Sequence, residues 1–219
     1  MLHGVRWILF DAVGTLMFPD PPVAEAYFAA AARFGSRLSV AEIQKRFSIA
    51  LERGFAGRCE TDESHELQRW RAIVGEVLSD LPLHVDAVFE QLWQHFAEAR
   101  HWRLFDDVGA ALDRLRRRHF RIGIASNFDG RLKNIVGGQS ALAACEAVFV
   151  SSEIGYSKPD PRFFRTVQQQ LGVGPEQIAL VGDDEVCDVQ AAIAVGWRAI
   201  HLDRKSGKEG AIRCLAELH

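Results

Sequence analysis

The hydrophobic residues of this chain fall into five short runs that are apolar at consecutive positions. Each run is bounded by polar residues or glycine, and the runs cover residues 5–10, 120–125, 147–150, 178–181 and 197–202. Continuous rather than alternating apolar character is typical of strands that are buried on both faces of a parallel sheet. Helical patterns lie between the later runs, over residues 107–118, 129–137, 161–171 and 186–195. This alternation of strand and helix predicts a doubly wound α/β sheet.

The interval between the first and second runs has helical patterns only. Helices are predicted over residues 22–34, 40–54, 63–79 and 85–99. Ser39 and Glu42 form a capping-box pattern that predicts the start of the helix at 40–54, and Gly35 predicts the end of the helix at 22–34. Arg58 is expected in a loop between helices. We therefore expect an inserted all-α domain over residues 18–102, without strands, and an α/β core domain formed by residues 1–17 and 103–219.

Charge and cysteine content restrict the kinds of partner. The chain has 26 Lys and Arg against 29 Asp and Glu, a formal net charge of −3, which gives no reason to expect nucleic acid or an anionic membrane. The four cysteines lack the spacing of a zinc site. No stretch has the length of a membrane span or a signal peptide. We expect a soluble, cytoplasmic protein that acts on a small molecule.

Polar residues follow four of the predicted strands, at the sheet edge where ligands bind in open parallel sheets. They are Asp11, Gly14 and Thr15 after the first strand, Ser126 and Asn127 after the second, Lys158 after the third, and Asp183, Asp184 and Asp188 after the fourth. Each group alone has an ordinary explanation, because such residues are common in turns. Acids clustered at one edge, however, repel one another unless a cation offsets their charge.

Together these groups predict chemistry on phosphorus. A carboxylate such as Asp11 can attack a phosphate only if the negative charges are offset, and Lys158 together with Mg²⁺ held by Asp11 and Asp183 would do so. Ser126, Asn127 and the backbone amides after Asp11, at Gly14 and Thr15, would hold the phosphoryl oxygens.

The same residues, in this order, resemble the four motifs of the haloacid dehalogenase superfamily. The motifs are Asp11 to Thr15, Ser126, Lys158, and the set Gly182, Asp183 and Asp188. The segments SNFDGRL, GYSKPDPRFF and VGDDEVCDVQAAIAVG further resemble the haloacid dehalogenase-like hydrolase domain-containing proteins akin to the rhythmically expressed gene product. The resemblance covers nearly the whole chain and implies a Rossmann-like core with the helical insertion as a C1-type cap.

The resemblance also implies a role for each matched side chain. Asp11 would be the nucleophile, Ser126 a phosphate ligand, and Lys158 the cation that balances charge. Asp183 would bind the metal, and Asp188 would orient the site and its lysine. The implied activity is a magnesium-dependent phosphatase that acts on a small phosphorylated metabolite through an aspartyl-phosphate intermediate.

Two positions depart from the superfamily's usual pattern. Phosphatases of this superfamily carry a second aspartate two residues after the nucleophile as general acid and base, and this chain has Val13 there. The backbone carbonyl of residue 13, a metal ligand in the family, is unaffected by the substitution. A positioned acid or base contributes about 10²–10⁴-fold to a rate, so hydrolysis of phosphate esters with poor leaving groups should be slow. Asp184 stands where the family often has Ser or Asn, which implies an exposed or supporting role.

Two other functions remain open on the sequence alone. In a 2-haloacid dehalogenase an apolar residue at position 13 is natural, because a halide leaves without a proton. The acids of the fourth motif would, however, repel a carboxylate substrate, and those dehalogenases are metal-independent. A catalytically weak member that binds a phosphorylated ligand or a partner protein through its cap is the third possibility.

The insertion contains several aromatic residues at helical spacing, and we expect most of them to pack in its core. They include Phe28, Phe47, Phe55, Trp70, Trp93 and Trp102.

Overall fold

The five apolar runs form one parallel sheet in the structure, a computed structural model that describes residues 2–57, 59–205 and 207–218. The strands are β1 (Trp7–Phe10), β4 (Arg121–Ser126), β5 (Ala147–Val150), β6 (Ile178–Gly182) and β7 (Arg198–His201). Their order is β5-β4-β1-β6-β7, and all neighbours are parallel. β1 is therefore central, which explains why its four residues are all buried. The predicted doubly wound α/β sheet is confirmed.

Helices cover both faces of the sheet. They are α5 (Val108–Arg117), α6 (Arg131–Gly137), α7 (Ser151–Ile154), α8 (Pro161–Leu171) and α9 (Ala191–Ala194). Because successive side chains of a strand point to opposite faces, Ile8 and Phe10 join one apolar cluster, whereas Trp7 and Leu9 join another. Two separate cores thus hold β1, and the residue that follows it, in a fixed position.

One predicted helix differs in its first half. Glu185–Gln190, expected to be α-helical from residue 186, is π-helical, and α9 follows it. The Asp184 carboxylate accepts hydrogen bonds from the Val186 and Cys187 amides at 2.8 and 2.7 Å, and the Asp184 carbonyl accepts from the amides of residues 188 and 189. Such wide turns are frequent at functional sites.

The insertion forms a bundle of four helices. They are α1 (Val23–Ala32), α2 (Val40–Phe55), α3 (Glu63–Val77) and α4 (Val85–His95), and they share an apolar cluster of their own. Ser39 and Glu42 make the predicted capping box of α2. Arg58, assigned to an interhelical loop, lies outside the described residues. Within the described part of the chain, no helix has the length and apolar character needed to cross a membrane.

The junction between insertion and core is a short two-stranded ribbon. β2 (Met17–Pro19) pairs antiparallel with β3 (Trp102–Leu104). The expectation that the insertion contains no strand is therefore wrong at its two ends. Three residues are too few to show an alternating pattern, and the pairing exists only because the chain enters and leaves the bundle at the same place. The ribbon sets the bundle above the carboxyl edge of the sheet.

Candidate active site

A buried ammonium group lies at the carboxyl edge of the sheet. Lys158 is 3% exposed, and its Nζ donates to Asp11 Oδ1 at 2.8 Å, to Asp188 Oδ1 at 2.5 Å and to the Ala125 carbonyl at 2.9 Å. All three ammonium protons are thereby used. Burial alone would lower the pKa of Lys158, but the charges of Asp11 and Asp188 outweigh burial and raise it. Lys158 is therefore cationic at neutral pH.

The backbone of Lys158 is held by the side chain of Asn127. The Asn127 Nδ2 donates to the Lys158 carbonyl at 2.8 Å, and the Lys158 amide donates to Asn127 Oδ1 at 2.7 Å. Both ends of the Asn127 amide are consequently occupied. Its side chain positions Lys158 in this structure rather than facing the cavity as a free donor, which the sequence alone did not indicate.

Three carboxylates converge beside this lysine. Asp11, Asp183 and Asp188 each offer an oxygen, and these oxygens lie within 4.8 Å of one another. Burial and then the charge of Asp11 raise the pKa of Asp183. Burial raises the pKa of Asp188 to about 6, although Lys158 opposes the shift. Both shifts reflect burial and the crowding of like charges, which one lysine offsets only in part.

The carboxylates differ in their free oxygens. Asp188 is 2% exposed, and its two oxygens accept from Lys158 Nζ and, at 3.1 Å, from the Asp184 amide. Asp183 accepts through Oδ1 from the Thr15 hydroxyl at 3.0 Å. Asp11 Oδ1 accepts from both Lys158 and, at 2.9 Å, the Ser126 hydroxyl. Asp11 and Asp183 are thus the residues with oxygens left for a metal ion, the hard ligands that Mg²⁺ prefers.

Two glycines leave the space that the carboxylates of Asp183 and Asp188 occupy. At Gly14, which has φ +91°, an added Cβ would lie 2.3 Å from Asp183 Oδ2, and at Gly182 it would lie 2.1 Å from Asp188 Oδ2. Any side chain at either position would displace a carboxylate. The Gly14 amide itself donates to the Met17 carbonyl at 2.8 Å, so in this structure it is not free for a phosphoryl oxygen.

Val13 and Asp184 lie at the same edge. The Val13 side chain is 37% exposed and lines the cavity above Asp11, so no carboxyl group is present at that position. Asp184 is exposed and caps the π-helical turn through its contacts with Val186 and Cys187.

The cluster lies in a cavity of about 740 Å³ between the sheet edge and the helical insertion. Aromatic residues of the insertion line it, including Phe47, Phe55, Trp70, Phe89, Trp93 and Phe96. The expectation that such residues serve mainly core packing is incomplete, because Phe47, Trp70 and Trp93 pack on the bundle core and also line the cavity. A helical spacing of aromatic residues is the same for both uses, so the sequence could not separate them.

Arg131 is a cavity residue to which the sequence analysis gave no role. Its Nε and Nη2 donate to the two oxygens of Asp129 at 2.8 and 2.7 Å. Its guanidinium carbon lies 3.4 Å from the centroid of the Trp93 ring, and Nη1 donates to the Trp93 carbonyl at 3.3 Å. The Asp-x-Arg spacing within SNFDGRL was the available signal. The contact ties the core to α4 of the insertion.

Comparisons with known proteins agree on the family. A family model described as haloacid dehalogenase-like hydrolase matches residues 5–196. Haloacid dehalogenase-like hydrolase domain-containing protein 3 of Danio rerio is 28% identical over 94% of this chain and 88% of its own length. A phosphoserine phosphatase of Thermus thermophilus is 37% identical over 50% of this chain and 44% of its own. A crystal structure of a dehalogenase has a TM-score of 0.72 at 17% identity, covering 100% of this chain and 97% of that one.

Replacement of Lys158 should destabilise the fold in a pH-dependent way. Lys158→Met leaves the buried Asp188 carboxylate without its cation, so its folded-state pKa rises further above the unfolded value. Such groups bind protons more tightly in the folded state, and stability falls as the pH rises through the interval between the two pKa values. Since Asp188 already titrates near 6, we expect a loss of about 3–5 kcal/mol near pH 8 and a smaller loss near pH 5.

Urea unfolding of magnesium-free protein at the two pH values measures this difference. Lys133→Met is the matched control, because Lys133 forms an exposed ion pair with Glu153 and should contribute less than about 1 kcal/mol at either pH. An equal loss at both pH values for Lys158→Met would show that the lysine does not offset these carboxylates.

Proposed function

Because this chain belongs to the haloacid dehalogenase-like hydrolase family, we propose that it is a magnesium-dependent phosphatase of a small phosphorylated metabolite. The observation that carries the proposal is the convergence of Asp11, Asp183 and Asp188 within 4.8 Å around one buried lysine. A cluster with more carboxylates than cations favours a bound divalent cation and an anionic ligand that completes the charge balance. The phosphoserine phosphatase relative supports the same reaction class.

In the proposed reaction the Asp11 carboxylate attacks phosphorus. The bond between phosphorus and the ester oxygen breaks, and the leaving oxygen takes a proton from solvent water, because Val13 offers none. A second water then hydrolyses the aspartyl-phosphate to free phosphate and Asp11. The Ser126 hydroxyl, which donates to Asp11 Oδ1 at 2.9 Å, would turn to a phosphoryl oxygen when the substrate is bound. Lys158 would orient Asp11 and offset its charge, and Asp188 would keep Lys158 in place.

The chain's own residues suit a metal ion. Asp11, Asp183 and the backbone carbonyl of Val13 would hold it, Thr15 would fix the Asp183 carboxylate, and Gly14 leaves the necessary space. A bound Mg²⁺ would offset the charge that nucleophile and phosphate bring together. Asp184 would act only by capping the turn that carries Asp188.

A haloacid dehalogenase is the second candidate, and Val13 is the observation that favours it. Its substrate carries a carboxylate, which would have to approach the acidic cluster without a divalent cation. Among the described residues, the one cation within that cluster is Lys158, which is already bound by Asp11 and Asp188. Repulsion of a second carboxylate therefore favours the phosphatase.

Asp11→Asn should abolish phosphate release while the fold is retained, because an amide is not a useful nucleophile. The measurement is a screen of purified protein, with and without Mg²⁺, for phosphate release from phosphorylated metabolites and for chloride release from L-2-chloropropionate. Asp106→Asn, a change at a side chain that is 98% exposed, is the matched control and should keep full activity. Chloride release without Mg²⁺, or turnover by Asp11→Asn, would contradict the proposal.

Val13→Asp should supply the missing acid and base. We expect hydrolysis of an alkyl phosphate, whose leaving group needs a proton, to rise by up to about 10²-fold, and hydrolysis of an aryl phosphate to rise less. The ratio of the two rates is the readout, because changes in folding or metal affinity would alter both rates together. Val13→Asn is the control of similar size that lacks a titratable proton. An unchanged ratio would show that position 13 does not determine proton transfer.

A further inference from the structure

The cavity above Asp11 is far larger and more apolar than a phosphate group needs. Its volume of about 740 Å³ lies within the range of about 300–1,000 Å³ for sites that enclose drug-sized ligands. Apolar side chains of α2, α3 and α4 form its walls, among them Phe47, Leu51, Phe55 and Trp70. The part of the substrate beyond the phosphate must therefore occupy an apolar space.

Two of the apolar side chains on this cavity remain exposed. Val13 is 37% exposed and Phe55 is 39% exposed. The Phe55 ring meets Trp70 edge to face, with centroids 5.9 Å apart, so the two form one aromatic surface. Exposed apolar surface within a cleft marks a binding site, because a ligand that covers it gains hydrophobic free energy.

The charged groups on the cavity also favour a substrate whose leaving group is uncharged. Of the residues that the structure describes, five acidic ones line it, namely Asp11, Asp183, Asp184, Asp188 and Glu52. The cations along its described lining are Lys158, which is bound by two carboxylates, and Arg131, which is bound by Asp129. A carboxylate on the substrate's leaving group would thus meet acids and already paired cations.

We propose that the substrate is a phosphate monoester of an uncharged, apolar alcohol that carries a ring, and that Phe55 and Trp70 bind this ring. This inference rests on the proposed function, and it names the substrate class of the same site. It sets the chain apart from phosphatases of phosphorylated carboxylic acids, since no free cation on the described cavity lining would recognise their carboxylate.

The test compares two alkyl phosphates with the same need for proton transfer. Phosphate release from 3-phenylpropyl phosphate and from phosphoglycolate is measured with Mg²⁺, and kcat/KM should be at least about tenfold higher for the phenylpropyl ester. Binding of the inert analogue 3-phenylpropylphosphonate, measured by calorimetry against methylphosphonate, gives a readout that does not depend on turnover and should show the same preference.

Phe55→Ala identifies the surface that binds the ring. It should remove most of the preference in both assays, because the ring of the phenylpropyl group then loses an aromatic partner. Phe28→Ala is the matched control, since Phe28 is also in the insertion and is 41% exposed but does not line the cavity. It should change neither assay.

The outcomes separate the two proposals. Phosphate release from both esters with no preference, or with a preference for phosphoglycolate, would overturn the substrate class and leave the phosphatase intact. A preference that survives Phe55→Ala would overturn the assignment of this surface. Phosphate release from neither of these esters nor from an aryl phosphate, which needs no proton donor, would overturn the phosphatase, and equal binding of the two phosphonates would overturn the substrate class.

Discussion

The ammonium group of Lys158 is the interaction on which this edge of the sheet depends. Burying a cation costs several kcal/mol unless acceptors surround it, and here the acceptors come from three separate segments: Asp11 after β1, Ala125 in β4 and Asp188 in the π-helical turn. Each of these segments must therefore bring its acceptor within hydrogen-bond distance of Lys158 Nζ. Three features do so: the central position of β1, the π-helical turn at 185–190, and the two hydrogen bonds between the Asn127 side chain and the Lys158 backbone.

The same arrangement leaves a deficit of positive charge. Two glycines let Asp183 and Asp188 crowd toward the cavity, and Lys158 offsets only part of their charge, so the site suits a divalent cation and an anion together. In the proposed function, Val13 and the aromatic walls would contact the part of the substrate beyond the phosphate. In the proposed site the apolar walls would favour leaving groups that are uncharged and bind by burial rather than by ion pairs.

The sequence predicted the sheet, the four-helix insertion and the residues at the strand ends, because these follow from local periodicity and from the rule that parallel strands end at one edge. It did not predict the β2–β3 ribbon, whose strands are three residues long. It also did not reveal that the Asn127 side chain and the Gly14 amide already have partners. The Asn127–Lys158 contacts and the apolar cavity join residues far apart in the chain, and only tertiary structure determines them. The Gly14 amide donates to Met17 in a local turn, whose hydrogen bond the residue types alone do not specify.

We propose that a bound divalent cation offsets the negative charges of Asp11 and Asp183 and so allows the two carboxylates to lie close together. Calorimetric titration of the metal-free protein with Mg²⁺ tests it most directly. We predict binding of one ion per chain at millimolar concentration or below, a large loss of affinity in Asp183→Asn, and unchanged affinity in Asp106→Asn, whose side chain is 98% exposed. Absence of Mg²⁺ binding by the wild-type protein, or equal affinity in Asp183→Asn, would contradict the account.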